Sequence, residues 1–325
     1  MATTSSQPSV MARVRATLLS QEGILFLLLI GVIVVFANLN PNFLSARNLL
    51  NQGRLMSEVG LIALPMTFII ITAGIDLSVG SILGMCAIVL GVLWKNLGVP
   101  LELAIVLALA VGCLAGLFNG LFIVRVGVPP LIMTLATLAL YRGIAQGISQ
   151  ARSVTGYPAW FTQFAQASFL GLPVQLWLFI VFTVLSIIAL RFTTLGRSLY
   201  AIGNNPVGAR FSGLPVGRNL LIIYTYAGLM SALAAVIFVS RVTTTRSDMG
   251  SGLELDAIAA VVLGGTSIFG GKGTIVGTVL GLILIQLLKN GLALNGVTSD
   301  ATIVVIGSIL IFAILLNNLI QSRRG

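Results

Sequence analysis

The feature that most constrains this chain is the recurrence of long apolar runs with almost no charge. "ILFLLLIGVIVVF" (24–36) is one, and residues 61–73 and 82–93 carry no charged side chain. A helix needs roughly 20 mostly apolar residues to cross a bilayer, whereas barrel strands alternate apolar and polar positions. These runs are continuous, so they predict helices. Only 8% of the 325 residues are charged and 57% are hydrophobic, with a mean hydropathy of +1.08. A soluble domain carries about 25% charged residues. The expected fold is therefore all-α, a polytopic helical bundle in a membrane.

Reading the runs against their Pro and Gly breakers predicts about ten spans: 24–40, 58–73, 78–96, 101–124, 129–149, 173–191, 219–240, 256–270, 273–290 and 301–320. Residues 1–23 read as a cytoplasmic N-terminal segment, 24–320 as one transmembrane domain and 321–325 as a cytoplasmic tail. The polar start, with Arg13 and Arg15, resembles a signal peptide, but no A-x-A-like site follows the first run. That run is expected to stay as an uncleaved helix.

The net charge of +10 arises from 18 basic and 8 acidic residues. In a membrane protein such an excess faces the cytoplasm and anionic lipid rather than nucleic acid. The segment 191–218 shows this best, with Arg191, Arg197, Arg210 and Arg218 and no acid. It is placed inside the cell. Within it, Asn204-Asn205-Pro206 signals a turn, Val207 to Ser212 forms a helix-capable piece, and Gly213 and Pro215 stop it. A solvated connector and a docking surface are both open for this loop.

Glycines recur at four-residue spacing: Gly112, Gly116, Gly120; Gly143, Gly147; and Gly273, Gly277, Gly281. Small residues at that spacing let helices approach closely in lipid. The pattern predicts a tightly packed bundle and does not by itself specify transport.

The chemistry of an enzyme is missing. There is no histidine, and Cys86 and Cys113 both lie in apolar runs, which argues against a metal cluster or a disulfide framework. "GGTSIFGGKGT" (264–274) lacks the first glycine of a phosphate-binding loop and has Gly273 where Ser or Thr is required. Energy for uphill movement must come from another chain or an ion gradient. Three acids, Asp76, Glu254 and Asp256, fall at predicted helix starts rather than helix centres. A carboxylate there can cap free N–H groups and meet the positive end of the helix dipole. The stretches "GIDLSVGSILGM" (74–85) and "LELDAIAAVVLGG" (253–265) are similar, which suggests a weak internal repeat of the kind many transporters carry.

The segments "GIDLSVGS" (74–81), "NGLFIVRVGVPPLIMTLATLALYRG" (119–143), "GNNPVGARFSGLPVGR" (203–218) and "ELDAIAAVVLGGTSIFGGKGTIVGT" (254–278) carry a resemblance. Together they resemble the membrane permeases of bacterial ATP-binding-cassette importers for monosaccharides, of which the ribose type is the best known. The segment 153–176 is more similar to the branch associated with rhamnose and with the signalling sugar autoinducer-2. The resemblance implies a multi-pass subunit of the bacterial inner membrane, without cofactors of its own. ATP and magnesium would sit on two cytoplasmic ATP-binding subunits. A periplasmic or lipid-anchored sugar-binding protein would deliver the substrate, and a second permease chain, identical or paralogous, would complete the pathway. The short inner helix, with Asn205, Ala209, Arg210, Ser212 and Gly213, would be the coupling helix. Asn119, Thr134, Thr137 and Tyr141 are candidate pathway-lining residues, and interhelical hydrogen bonding is the other reading of each. Branched-chain amino acid or nucleoside permeases of the same superfamily, a gradient-driven carrier and a channel remain as alternatives.

Overall fold

The computed structural model describes residues 21–308 and 311. The N-terminal segment 1–20, the second half of the predicted last span and the tail 321–325 lie outside the described residues. Thirteen helices follow along the described chain: α1 (Gln21–Leu39), α2 (Ala46–Ile71), α3 (Val79–Lys95), α4 (Leu101–Leu121), α5 (Pro130–Ser149), α6 (Ala159–Phe164), α7 (Val174–Phe192), α8 (Thr194–Asn204), α9 (Pro206–Phe211), α10 (Val216–Val242), α11 (Leu253–Leu263), α12 (Ile275–Leu294) and α13 (Ser299–Ser308). α4 runs on into a π-helical turn, Phe122–Val126. Among the described residues, seven helices are long and apolar enough to cross a membrane: α1, α2, α4 with its π turn, α5, α7, α10 and α12.

The expected count of ten separates into full and partial spans. α3 has 17 residues and α11 only 11. At 1.5 Å per residue α11 is about 16 Å long, roughly half the hydrocarbon thickness. Residues 264–270, expected to continue it, leave the helix at the Gly264-Gly265 pair. The predicted span 58–73 starts twelve residues earlier, because Ser45 caps α2 by accepting the N–H of Asn48.

α2 is the central helix. Every residue from Ser57 to Ile71 is buried, and it contacts α7, α10, α11 and α12. Its interior hydroxyls bond back to their own helix, Ser57 to Gly53 O and Thr67 to Ala63 O, so they cost little in an apolar interior. α1 rests on α12 and leaves most of its apolar surface outward, as a lipid-facing helix does.

The glycine spacing is realised in two of its three places. Gly112 and Gly116 of α4 lie directly against Gly228 of α10, where a Cβ on Gly228 would overlap the Gly112 carbonyl. Gly277 and Gly281 of α12 meet Gly264 and Ala260 in the same way. Gly143 and Gly147 have nothing within 4 Å of an added Cβ and lie on an exposed face of α5.

A cap of short elements covers one end of the bundle. β1 (Val154–Thr155) pairs antiparallel with β4 (Thr244–Thr245), and β2 (Ser168–Phe169) with β3 (Leu172–Pro173). Tyr157 stacks on Trp94 at the end of α3, with ring centres 4.7 Å apart. Ser240 of α10 donates to Phe161 O of α6.

Candidate functional site

Two regions hold the residues singled out by sequence: a buried turn between α2 and α3, and the short exposed helix α9.

Asp76 lies in the buried turn and is fully inaccessible. Its Oδ1 accepts the Ser78 N–H at 2.8 Å and the Ser78 hydroxyl at 2.6 Å. The expected cap therefore needs correcting. Ser78, not Asp76, is the N-cap residue of α3, and no side chain caps that helix. The carboxylate is two residues too early to reach first-turn amides, and it closes a side-chain turn on the N-cap residue instead.

The predicted pathway residues surround this turn. Asn119 of α4 donates to Ser78 Oγ at 2.8 Å. Tyr141 of α5 reaches Asn119 Oδ1 at 3.2 Å and Ala115 O at 2.9 Å. Thr134 donates to Ile75 O at 3.1 Å. Thr137 turns to its own helix, bonding Met133 O at 3.1 Å. All four are buried, at 0 to 4% exposure; Asn119 and Thr134 fasten α4 and α5 to the Asp76 turn, and Tyr141 joins α5 to α4. Each bond satisfies a polar group that would otherwise be stranded in an apolar interior. One oxygen, Asp76 Oδ2, and the hydroxyl of Tyr224 on α10 are buried without partners.

The second acidic segment meets the first. Glu254 accepts the Gly252 N–H at 3.1 Å, and its other oxygen is buried against Gly80, where a Cβ would overlap it. Gly80 is thus what lets the start of α3 touch the start of α11. Asp256 differs from its expected role: it pairs with Lys289 of α12 at 2.6 Å and does not serve as a cap. Sequence reading missed Glu58, which is buried and forms an ion pair with the partly exposed Arg241. An acid at the start of a long apolar run was the available signal.

Asn205 caps α9 by accepting the Gly208 N–H at 2.8 Å, and Pro206 follows at the first helical position. Ser212 bonds Gly208 O at 2.9 Å. Gly213 ends the helix in the left-handed region, φ +78°, with N–H to Arg210 O, while Leu214 N–H reaches Ala209 O. Ala209 is buried against Ile202 and Val216. The opposite face presents Val207, Arg210 and Phe211, and Phe211 is 88% exposed. Val207 and Phe211 were not singled out by sequence, though they flank Arg210 at the i and i+4 spacing of one helical face.

Residues 48–314 match the family described as branched-chain amino acid transport system / permease component. The chain belongs to that permease family. It is 41% identical over 294 residues to the "Autoinducer 2 import system permease protein LsrD" of Escherichia coli K12, covering 89% of each chain. The homologue of the same name from Shigella flexneri matches to the same extent. No solved structure matches. The family and the apolar helices make this a multi-pass inner-membrane permease, a transport component.

Proposed function

We propose that the chain is the membrane-spanning subunit of an ATP-driven importer for a small sugar of the autoinducer-2 type, working by alternating access. The identity of 41% across 89% of a permease for autoinducer 2 import carries the substrate class. The exposed face of α9 carries the coupling: a capped, stopped helix with an unburied Phe beside an unpaired Arg suits docking into a partner groove better than a solvated connector. ATP and magnesium belong to that partner, and a binding protein and a second permease chain complete the assembly. The Asp76 cluster holds the helices that must move relative to one another, and no covalent chemistry occurs on this chain.

The test is uptake by proteoliposomes holding the full chain with its partner subunits and binding protein. ATP-dependent accumulation of autoinducer 2, exceeding that of ribose, rhamnose and leucine, is the expected result. Selective leucine uptake would move the chain to the amino-acid side of its family. For the docking face, Phe211→Asp and Arg210→Glu are expected to lower the amount of ATP-binding subunit that co-purifies. Wild-type recovery from both would remove α9 from the coupling role.

A further inference from the structure

We infer that a close-packed joint, built on backbone contacts and closed by the Tyr200 side chain, links α9 to the Asp76 turn and transmits the movement of the ATP-binding subunit. The inference rests on the reading of α9 as the docking helix.

Three elements meet at the C-terminal end of α8. Gly203, two residues before the cap of α9, lies against Ile71 O and the Gly271 N–H, and a Cβ at 203 would overlap both. Gly271 donates to Ile71 O at 2.9 Å. A Cβ on Gly271 would in turn overlap Asn204 Oδ1, the residue next to the α9 cap. Tyr200 of α8 closes the junction by donating to Gly273 O at 2.7 Å. Ile71 is the last residue of α2 and leads directly into the Asp76 turn, whose Gly74 N–H bonds back to Ile69 O. The 264–274 segment leads back to α11, whose Glu254 abuts the start of α3.

The physical consequence follows from what is absent at this junction. A contact between side chains can absorb a displacement by changing rotamer. Backbone in van der Waals contact with backbone cannot, because the interior is close-packed and only the chain path can give. A shift of α9 therefore moves the end of α2 and the α11–α12 loop together, and both lead to the broken helices beside Asp76 and Glu254. Gly203 and Tyr200 are positioning residues: they touch no substrate and act through the elements they join.

The experiment uses the full chain assembled with its ATP-binding subunits and binding protein. Two variants, Gly203→Ala and Tyr200→Phe, are read three ways: co-purified ATP-binding subunit, autoinducer 2 imported per ATP hydrolysed, and N-ethylmaleimide labelling. The labelling uses Thr72→Cys in a background with Cys86 and Cys113 replaced by Ala, with and without nucleotide. The expected result is unchanged co-purification, a fall in import per ATP of about 5-fold or more, in the range of couplings between sites, and loss of the nucleotide-dependent change in labelling. Wild-type import per ATP and labelling in both variants would overturn the joint. So would loss of co-purification in both, which would make these residues part of the docking face. If Gly203→Ala fails to accumulate, Tyr200→Phe decides by the same criteria. Failure of the α9 reading shows separately, as full co-purification from Phe211→Asp. If the wild type does not import autoinducer 2, the labelling arm alone decides.

Discussion

Glu58 of α2 and Arg241 of α10, 183 residues apart, form a two-pronged ion pair within the membrane-spanning bundle. Arg241 Nε stands 2.6 Å from Oε1 and Nη2 2.9 Å from Oε2, and Glu58 is 4% exposed. Charges in such a place persist only when each satisfies the other, and the parallel geometry of guanidinium and carboxylate does so with two bonds. The pair locks the central helix to α10.

Removing Arg241 leaves the Glu58 carboxylate buried and unpaired, whereas removing Glu58 leaves a guanidinium about a quarter exposed in the last turn of α10. Arg241→Ala is expected to destabilise the protein by about 3–5 kcal/mol, and Glu58→Ala by less. The double variant should lose less than the sum, since it strands neither charge. Thermal unfolding of the full chain in detergent measures all three, and additive losses would mean that the two residues act separately.

Asp76 works as an acceptor for two donors on Ser78. Asp76→Asn keeps a carbonyl oxygen in place and is expected to preserve membrane abundance. Asp76→Leu strands the Ser78 N–H and hydroxyl, at about 1–3 kcal/mol for each group. Abundance in membranes and uptake per molecule separate the cases. Equal loss of uptake from both, at normal abundance, would show that the negative charge itself is needed.

Tyr141 ties α5 to α4 through one hydroxyl. Tyr141→Phe is expected to cost about 1 kcal/mol in stability and leave the KM for uptake unchanged. A raised KM at unchanged stability would instead place the hydroxyl on the substrate.

Two helix glycines, Gly228 and Gly147, are expected to behave differently. Gly228→Ala drives a methyl group into the Gly112 carbonyl and should cost about 1–3 kcal/mol, as overpacking does. Gly147→Ala meets open space and should stay within about 0.5 kcal/mol of wild type. Unfolding midpoints of the two variants, compared side by side, check the contrast.

Much of the fold was legible because lipid imposes a simple rule: uncharged apolar runs become helices, with their backbone groups satisfied internally. The α2 boundary was missed because Asn48, Asn51, Gln52 and Arg54 make its first turns read as a loop. In the structure Asn48 and Gln52 are instead bonded to Asn290 and Gln286 of α12. The end of α11 was missed because Gly264-Gly265 fits equally well inside a close-packed helix or at its end. Only the close approach of α12 at Gly277 distinguishes them.

By itself the sequence determined the class of molecule and the presence of a short, capped helix within the 191–218 loop. These depend on local chemistry: hydropathy, and the Asn-Pro and Gly signals at helix ends. Tertiary structure alone decided what the polar residues do. Asn119 and Thr134 bond to the Asp76 turn, Tyr141 bonds Asn119, Asp256 finds Lys289, and Gly80 admits Glu254 because distant segments converge there. A buried hydrogen bond or ion pair is a property of two positions far apart in the chain, and no single stretch of sequence records its partner.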